Sequence, residues 1–401
     1  MKHTLIAGLL GTCLALPAFA QDTVLTMWTE SATAPEAVFA KEFSDMDNGI
    51  TIDVREVPFD NIVTETLRSF ATKTNPDIIA IDNPDHAAFS SRGAFLDLTP
   101  LLANSTIKMD TYFPGPVASL SWDGGVYGIP RASNTIALYY NKDMFRAKGL
   151  DPDAPPTTWA ALKSAAETLS DPANNVYGIA FSARASEEGT FQFLPWLQMA
   201  GGSFQKVNGP GAADALNFWK GLMDEKLASP DTLTRGQWDS TGTFNGGNAA
   251  MAISGPWELK RMSADAKFDW GVTLLPLMAE GGPRASALGD FNLAIFANSQ
   301  SPDAAFQFLE YVDAQSARLW PEFTRMPSKA GVALAPTGDA RIDAAAGVFI
   351  EQLQSAVNRG PSPEWPKISK AIQDAIQSTL TGQKDAQQAL DDAQGVIDGL
   401  L

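Results

Sequence analysis

The chain has one cysteine, Cys13, and two histidines, His3 and His86, among 401 residues. One thiol allows no internal disulfide framework and no cysteine-ligated metal cluster. Any Ser-His-Asp triad in the body of the chain would have to use His86, which stands in Asn83-Pro84-Asp85-His86. That context predicts a surface or helix-start histidine rather than a catalytic one or a ligand. Also missing, beyond the N-terminus, is any run approaching the roughly 18 uncharged apolar residues of a transmembrane helix. There is no glycine loop of the P-loop or dinucleotide type, no HExxH and no calcium-loop pattern, so no cofactor or metal is implied. Basic residues are few, 29 against 46 acidic ones, for a formal net charge of −17. Such a surface repels phosphate backbones and anionic lipid, which argues against nucleic-acid and membrane-surface partners.

What is present begins with an export signal. Lys2 supplies the positive start, Leu5 to Leu16 the apolar stretch, and Ala18-Phe19-Ala20 the small-residue cleavage site, with cutting expected before Gln21. Thr12 is a poor match to the small residue that precedes a lipidated cysteine, so Cys13 is read as part of the signal. Removing residues 1–20 leaves 381 residues, no thiol and a formal charge of −18. At about 150 residues per domain that is room for two or three domains, two being expected, and for a large core.

Short β-type runs alternate with helical patterns, the signature of an α/β fold. Strands are predicted at residues 24–28, 50–57, 77–81, 135–141, 177–181, 249–254, 271–277 and 292–298. Apolar residues alternate in Ile50-Thr51-Ile52-Asp53-Val54, fitting a strand with one buried face, whereas the continuous Ile78-Ile79-Ala80-Ile81 fits a central parallel strand. After Pro155-Pro156, Thr157 or Thr158 caps a helix carrying Trp159, Leu162, Ala166 and Leu169 on one face. Other helices are predicted after Ser301-Pro302-Asp303, from Trp365 through Ile368, Ile372 and Ile376 to Gly382, and from Ala386 to Ile397. No linker would separate independent modules, so two lobes must be joined by several short crossings, one of them near Gly128-Ile129-Pro130-Arg131.

Chemistry-bearing residues gather at strand ends, where α/β proteins hold ligands. Trp28-Thr29-Glu30 follows the first strand, Asp82-Asn83 the third, and Gly255-Pro256-Trp257-Glu258 the strand at 249–254. Trp159 and Trp219 sit in helical patterns and belong in the core. Trp257 follows a Gly-Pro turn that projects its ring outward, where the CH face of a pyranose stacks and neighbouring carboxylates and amides meet the hydroxyls.

These residues carry a resemblance. The chain resembles the extracellular solute-binding proteins of carbohydrate ABC importers, the group that includes the maltose-binding protein. Matching segments follow the family's order: Thr26-Met27-Trp28, Asn75-Pro76-Asp77-Ile78-Ile79, Leu96 to Leu101, Tyr127-Gly128-Ile129-Pro130, Leu138 to Phe145, Pro156 to Trp159, Gly246 to Met251, Gly255-Pro256-Trp257 and Trp365. The resemblance implies a type II periplasmic binding protein fold, with two lobes of mixed β-sheet flanked by helices and a ligand cleft between them. It places the lobes at residues 21–131 plus about 285–325 and at 132–284 plus about 326–401. Position by position, it implies stacking rings at Trp257 and Trp365, a strand tip at Trp28 and Glu30, and an acid or amide at Asp82 or Asn83. Polar hinge-side residues fall on Asn134, Ser133 and Arg131. Phe191 beside Gln192 stands where many relatives have tyrosine, which removes a hydroxyl contact. Gly255 belongs to the ring-bearing turn, and Gly289-Asp290-Phe291 matches a cleft turn in which Asp290 accepts a hydroxyl.

The expected function is periplasmic capture of a sugar by lobe closure and its delivery to the permease subunits of an ABC transporter, by a monomer without catalysis. A secreted glycoside hydrolase would need two carboxylates about 5 or 9 Å apart around one bond, and Glu30, Asp82 and Asp290 cannot be paired by spacing. Iron capture by Tyr139-Tyr140 conflicts with strand alternation, which sends the two rings to opposite faces. A cationic solute such as a polyamine ranks below a neutral sugar, while Arg131, if it faces the cleft, leaves open a charged sugar derivative such as a uronate or sulfonated sugar.

Overall fold

The computed structural model describes residues 23–401. The export signal, with Lys2, His3 and Cys13, lies outside the described residues. Two separate sheets organise the chain. The first runs in spatial order Ile50–Glu56, Thr23–Thr29, Ile78–Asp82, Phe291–Ile295, Ile129–Pro130. The second runs Trp270–Thr273, Ala137–Asn141, Ala249–Ser254, Tyr177–Ala180. Each is mixed. In the first, Thr23–Thr29 pairs in parallel with both neighbours while Phe291–Ile295 is antiparallel to Ile78–Asp82. The apolar run at 78–81 is central, as expected, with every side chain at 0 % exposure. Its second neighbour, however, is an antiparallel strand that returns from over 200 residues later.

Each sheet is covered by helices whose apolar faces complete its core. Pro35–Ser44 and Pro302–Ala314 bring Phe39, Phe43, Phe308 and Leu309 against Leu25, Met27 and Ile78 of the first sheet. On the second, Trp159–Leu169, Glu187–Met199, Ala212–Asp224 and Trp365–Leu380 bury Leu162, Trp196, Trp219 and Ile372 around Leu138 and Met251. Thr158 caps its helix by accepting the Ala161 amide, and Pro156 closes off any earlier start. Trp159 and Trp219 are core residues, as their helical spacing predicted.

Short segments join the lobes. Residues 131–136 leave the first sheet and enter the second, and Asn134 exchanges backbone hydrogen bonds with Gly289 at 3.1 and 3.0 Å. Ser133 donates its amide to Met326 at 2.7 Å on the other side. Three crossings therefore lie side by side, as several short connections required, and the Ile129–Pro130 region seen in the sequence belongs to the first sheet just before them.

His86 meets one of its two expected placements and not the other. His86 begins the short helix His86–Ser90 but is fully buried, with its ring 5.0 Å from Phe95. Burial pushes its pKa down to about 3, so it is a neutral core residue and not a surface one. Tyr139 and Tyr140 do face opposite ways: Tyr139 donates to the Gly255 carbonyl at 2.7 Å while Tyr140 packs on Phe145. Both serve packing.

Candidate functional site

The cleft between the two sheets holds about 180 Å³. Four rings border it. Trp257 and Phe191 come from the second lobe, with centroids 6.3 Å apart, and Phe59 and Phe291 from the first, 5.9 Å apart. Trp257 is held by its turn: a Cβ on Gly255 would stand 1.9 Å from the indole, so only glycine lets the ring fold back over the strand end. A half-buried ring fixed in this way is a ready stacking surface.

Acids and amides occupy the floor. Asp290 has φ of 97°, an uncommon backbone for a residue with a side chain. Its Oδ1 accepts Arg131 Nε and its own neighbour Phe291 N, each at 2.8 Å, and its Oδ2 accepts Asn134 Nδ2 at 3.1 Å. Gly289 is required beside it, because a Cβ there would lie 2.2 Å from Asn134 Oδ1. That Oδ1 is buried and has no hydrogen-bond partner among the described residues.

Arg131 lines the cleft, but its donors are already engaged. Besides Asp290 it reaches Glu30 at 2.8 Å and Glu36 at 2.9 Å, and it lies over the Phe291 ring. Burial works against its charge, yet the three carboxylates more than offset this and hold the pKa well above the ordinary arginine value. Burial pushes Glu36 up to about 7 against the pull of Arg131, and Glu36 also accepts the Thr29 hydroxyl. Arg131 thus positions the acids of the cleft, and Glu30, 17 % exposed, presents its carboxylate to the opening.

Arg359, absent from the sequence expectations, forms the second anchor. It binds both oxygens of Asp82, at 2.8 and 2.9 Å, and reaches Glu187 at 2.6 Å and Asn83 Oδ1 at 3.1 Å. Asp82 ends a strand of the first sheet and Glu187 opens a helix of the second lobe, so one guanidinium ties the lobes together. Burial raises both carboxyl pKa values, and Arg359 offsets part of the rise. Nearer the rim, Arg184 meets Asp60 at 2.6 Å across the same gap.

The remaining expected residues fall behind this surface. Trp28 is 7 % exposed in the core of the first lobe beside Ile62 and Phe89, under the Arg55 guanidinium. Trp365 is fully buried in the second lobe, packing on Phe204 and donating its indole N–H to Glu187 at 3.2 Å. Neither ring borders the cleft; Trp365 heads an amphipathic helix whose apolar face carries it inward, and Trp28 packs against the helix Phe59–Thr72. Gln192 is buried beneath Phe191, donating to the Ile253 carbonyl at 3.0 Å, and Ser133 bonds Ser328 at 2.9 Å on the hinge. Asn83 and Gly255 support Arg359 and Trp257 from below. Glu30, Asp82, Arg131, Asn134, Phe191, Trp257 and Asp290 are brought together, and Phe59, Glu187, Glu188, Gln237, Arg325 and Arg359 join them unannounced.

Comparison with known proteins agrees with this architecture. A solute-binding protein of an ABC transporter from Thermotoga lettingae, solved with alpha-D-tagatose, superposes with a TM-score of 0.85 at 25 % identity, covering 94 % of this chain and 99 % of that one. A binding protein of Brucella abortus is 25 % identical over 416 aligned positions, 100 % of this chain and 98 % of the relative. The sn-glycerol-3-phosphate-binding periplasmic protein of Salmonella typhimurium is 26 % identical over 355 positions, 82 % of this chain and 80 % of its own. The family profile described as bacterial extracellular solute-binding protein matches residues 28–315, most of the described chain. With two lobes, a shared cleft and that match, the chain belongs to the bacterial extracellular solute-binding protein family.

Proposed function

We propose that this protein captures a single sugar, or a sugar derivative of similar size, between its lobes in the periplasm and hands it to the permease of an ABC transporter. The observation that carries the reading is the pair of neighbouring rings, Trp257 and Phe191, that the second lobe presents to a cleft also lined by Asp82, Asn134 and Asp290. Rings take the apolar face of a pyranose while carboxylates and amides take its hydroxyls. At about 180 Å³ the space is below the roughly 300–1,000 Å³ of drug-sized pockets, which favours one ring over an oligosaccharide. The tagatose bound by the similar Thermotoga lettingae protein supports the ligand class.

On this reading the lobes are residues 21–131 with about 285–325, and 132–284 with about 326–401, after removal of the signal at 1–20. Ligand raises the closed population by bridging them. A micromolar site needs about 8 kcal/mol, within reach of stacked rings and several buried hydrogen bonds near 1 kcal/mol each. The protein acts as a monomer without catalysis: Glu30, Asp82 and Asp290 are bound to guanidinium groups as fixed acceptors. The same pairing speaks against a polyamine, because these acids already have cationic partners. Among the described residues no helix is long and apolar enough to cross a membrane.

Mass spectrometry of the small molecule released from purified protein tests the proposal. A carbohydrate mass supports it; an amino acid, polyamine or metal complex sinks it.

A further inference from the structure

We propose that the ligand carries an anionic group, a carboxylate or a phosphate, and that Arg325 receives it; this rests on the sugar-binding reading above. Three arginines line the cleft, and they are not equivalent. Arg131 and Arg359 each have carboxylate oxygens within 3.0 Å. Arg325 has none. Its Nη1 donates to the Phe323 carbonyl at 3.2 Å, and its nearest carboxylate is Asp290, whose Oδ2 lies 3.9 Å from Nε. That separation is an ion pair without a hydrogen bond. For Nε and Nη2 no hydrogen-bond partner exists among the described residues, although the side chain is only 18 % exposed.

Asp290 cannot turn to Arg325 without loss. Its Oδ1 holds Arg131 Nε and the Phe291 amide and its Oδ2 holds Asn134, so rotation toward Arg325 would break these buried hydrogen bonds and leave the Asn134 amide without its acceptor. Burial and the like charge of Arg131 both weigh on Arg325, and its pKa is lowered. A desolvated guanidinium with a free edge is completed by two oxygens held in a plane or a tripod, the geometry of carboxylate and phosphate. Of the acids nearest this corner, Glu36 is driven toward its neutral form by burial, and Glu30 and Asp290 share Arg131, which offsets part of their charge. They remain as acceptors for the hydroxyls of the same ligand. The polyol end then lies toward Trp257 and the anionic end against Arg325.

The test is calorimetric titration of the mature protein with matched pairs: glucuronate and glucose, galacturonate and galactose, glucose 6-phosphate and glucose. At least one acidic member is expected to bind, about 30-fold or more tighter than its neutral counterpart, the ratio for a hydrogen bond to a charged group. Arg325→Met is expected to bring the ratio of acidic to neutral affinity down to near one, and Arg325→Lys keeps part of it. Thermal melting checks that Arg325→Met folds; if it does not, Arg325→Lys and the wild-type ratios decide. Neutral sugars binding as tightly as their acids, or an acidic preference that survives Arg325→Met, overturns the inference and leaves the sugar reading standing. If no probe binds, the mass of the released native ligand decides: an acidic carbohydrate supports the inference, a neutral carbohydrate overturns it alone, and a non-carbohydrate overturns both readings.

Discussion

Arg359 grips Asp82 with two parallel hydrogen bonds at 2.8 and 2.9 Å, although the two residues are 277 positions apart in the chain. The pair is almost fully buried and shares Arg359 with Glu187 of the opposite lobe. Removing the cation leaves two buried carboxylates without their partner. Arg359→Met is therefore expected to cost about 3–5 kcal/mol of unfolding free energy. Adding Asp82→Asn and Glu187→Gln should recover most of the loss, which urea denaturation of the single and triple variants will show.

The exposed bridge between Asp60 and Arg184 should behave differently. Both side chains are more than one third exposed, so water and salt screen the pair. Such a bridge contributes about 0.2–1 kcal/mol. Asp60→Ala is expected to speed ligand release by less than about fivefold, an effect that vanishes in high salt, as stopped-flow tryptophan fluorescence can measure.

How much of this was legible beforehand varied with the range of the interaction. Trp257 was found because a Gly-Pro turn at a strand end is a local signal, and Trp159 because helical spacing is local too. Trp365 was placed at the cleft, but its helix also carries Ile368, Ile372 and Ile376 on a buried face, and the first residue of that face goes inward with them. His86 was expected at the surface or at a helix start; it does start a helix, but only the fold brings Phe95 against it and buries it. Arg359, Arg325 and Glu187 carried no motif. Their roles depend on partners brought together by three chain crossings, a relation that periodicity and spacing do not encode.

Glu258 supplies a pH prediction. It is fully buried beside Arg261, and burial raises its pKa to about 7 despite that partner. An acid whose folded pKa exceeds its unfolded value near 4.5 takes up a proton on folding. Its contribution is most favourable below the unfolded pKa and declines as pH rises to about 7. Relative to Glu258→Gln, the wild type should lose melting temperature between pH 5 and 7 and run parallel to the variant above about pH 8. Differential scanning calorimetry at several pH values checks it; parallel curves throughout would show that Glu258 is charged in both states.

Gly289 should tolerate no side chain. Gly289→Ala drives a methyl into Asn134 Oδ1 and to within 2.9 Å of the Phe191 ring, two residues that border the cleft. The expected result is at least about tenfold weaker ligand binding, or about 1.4 kcal/mol, with the lobes still folded by circular dichroism.

The central claim is that the ring on the Gly-Pro turn holds a sugar between the lobes, and isothermal titration of wild type and Trp257→Ala against a panel of neutral and acidic sugars tests it most directly. The account predicts that at least one sugar binds the wild type in the micromolar range and binds the variant at least about tenfold more weakly, while both melt at similar temperatures. Equal affinity in the two proteins, or a wild type that ignores every sugar, would contradict it.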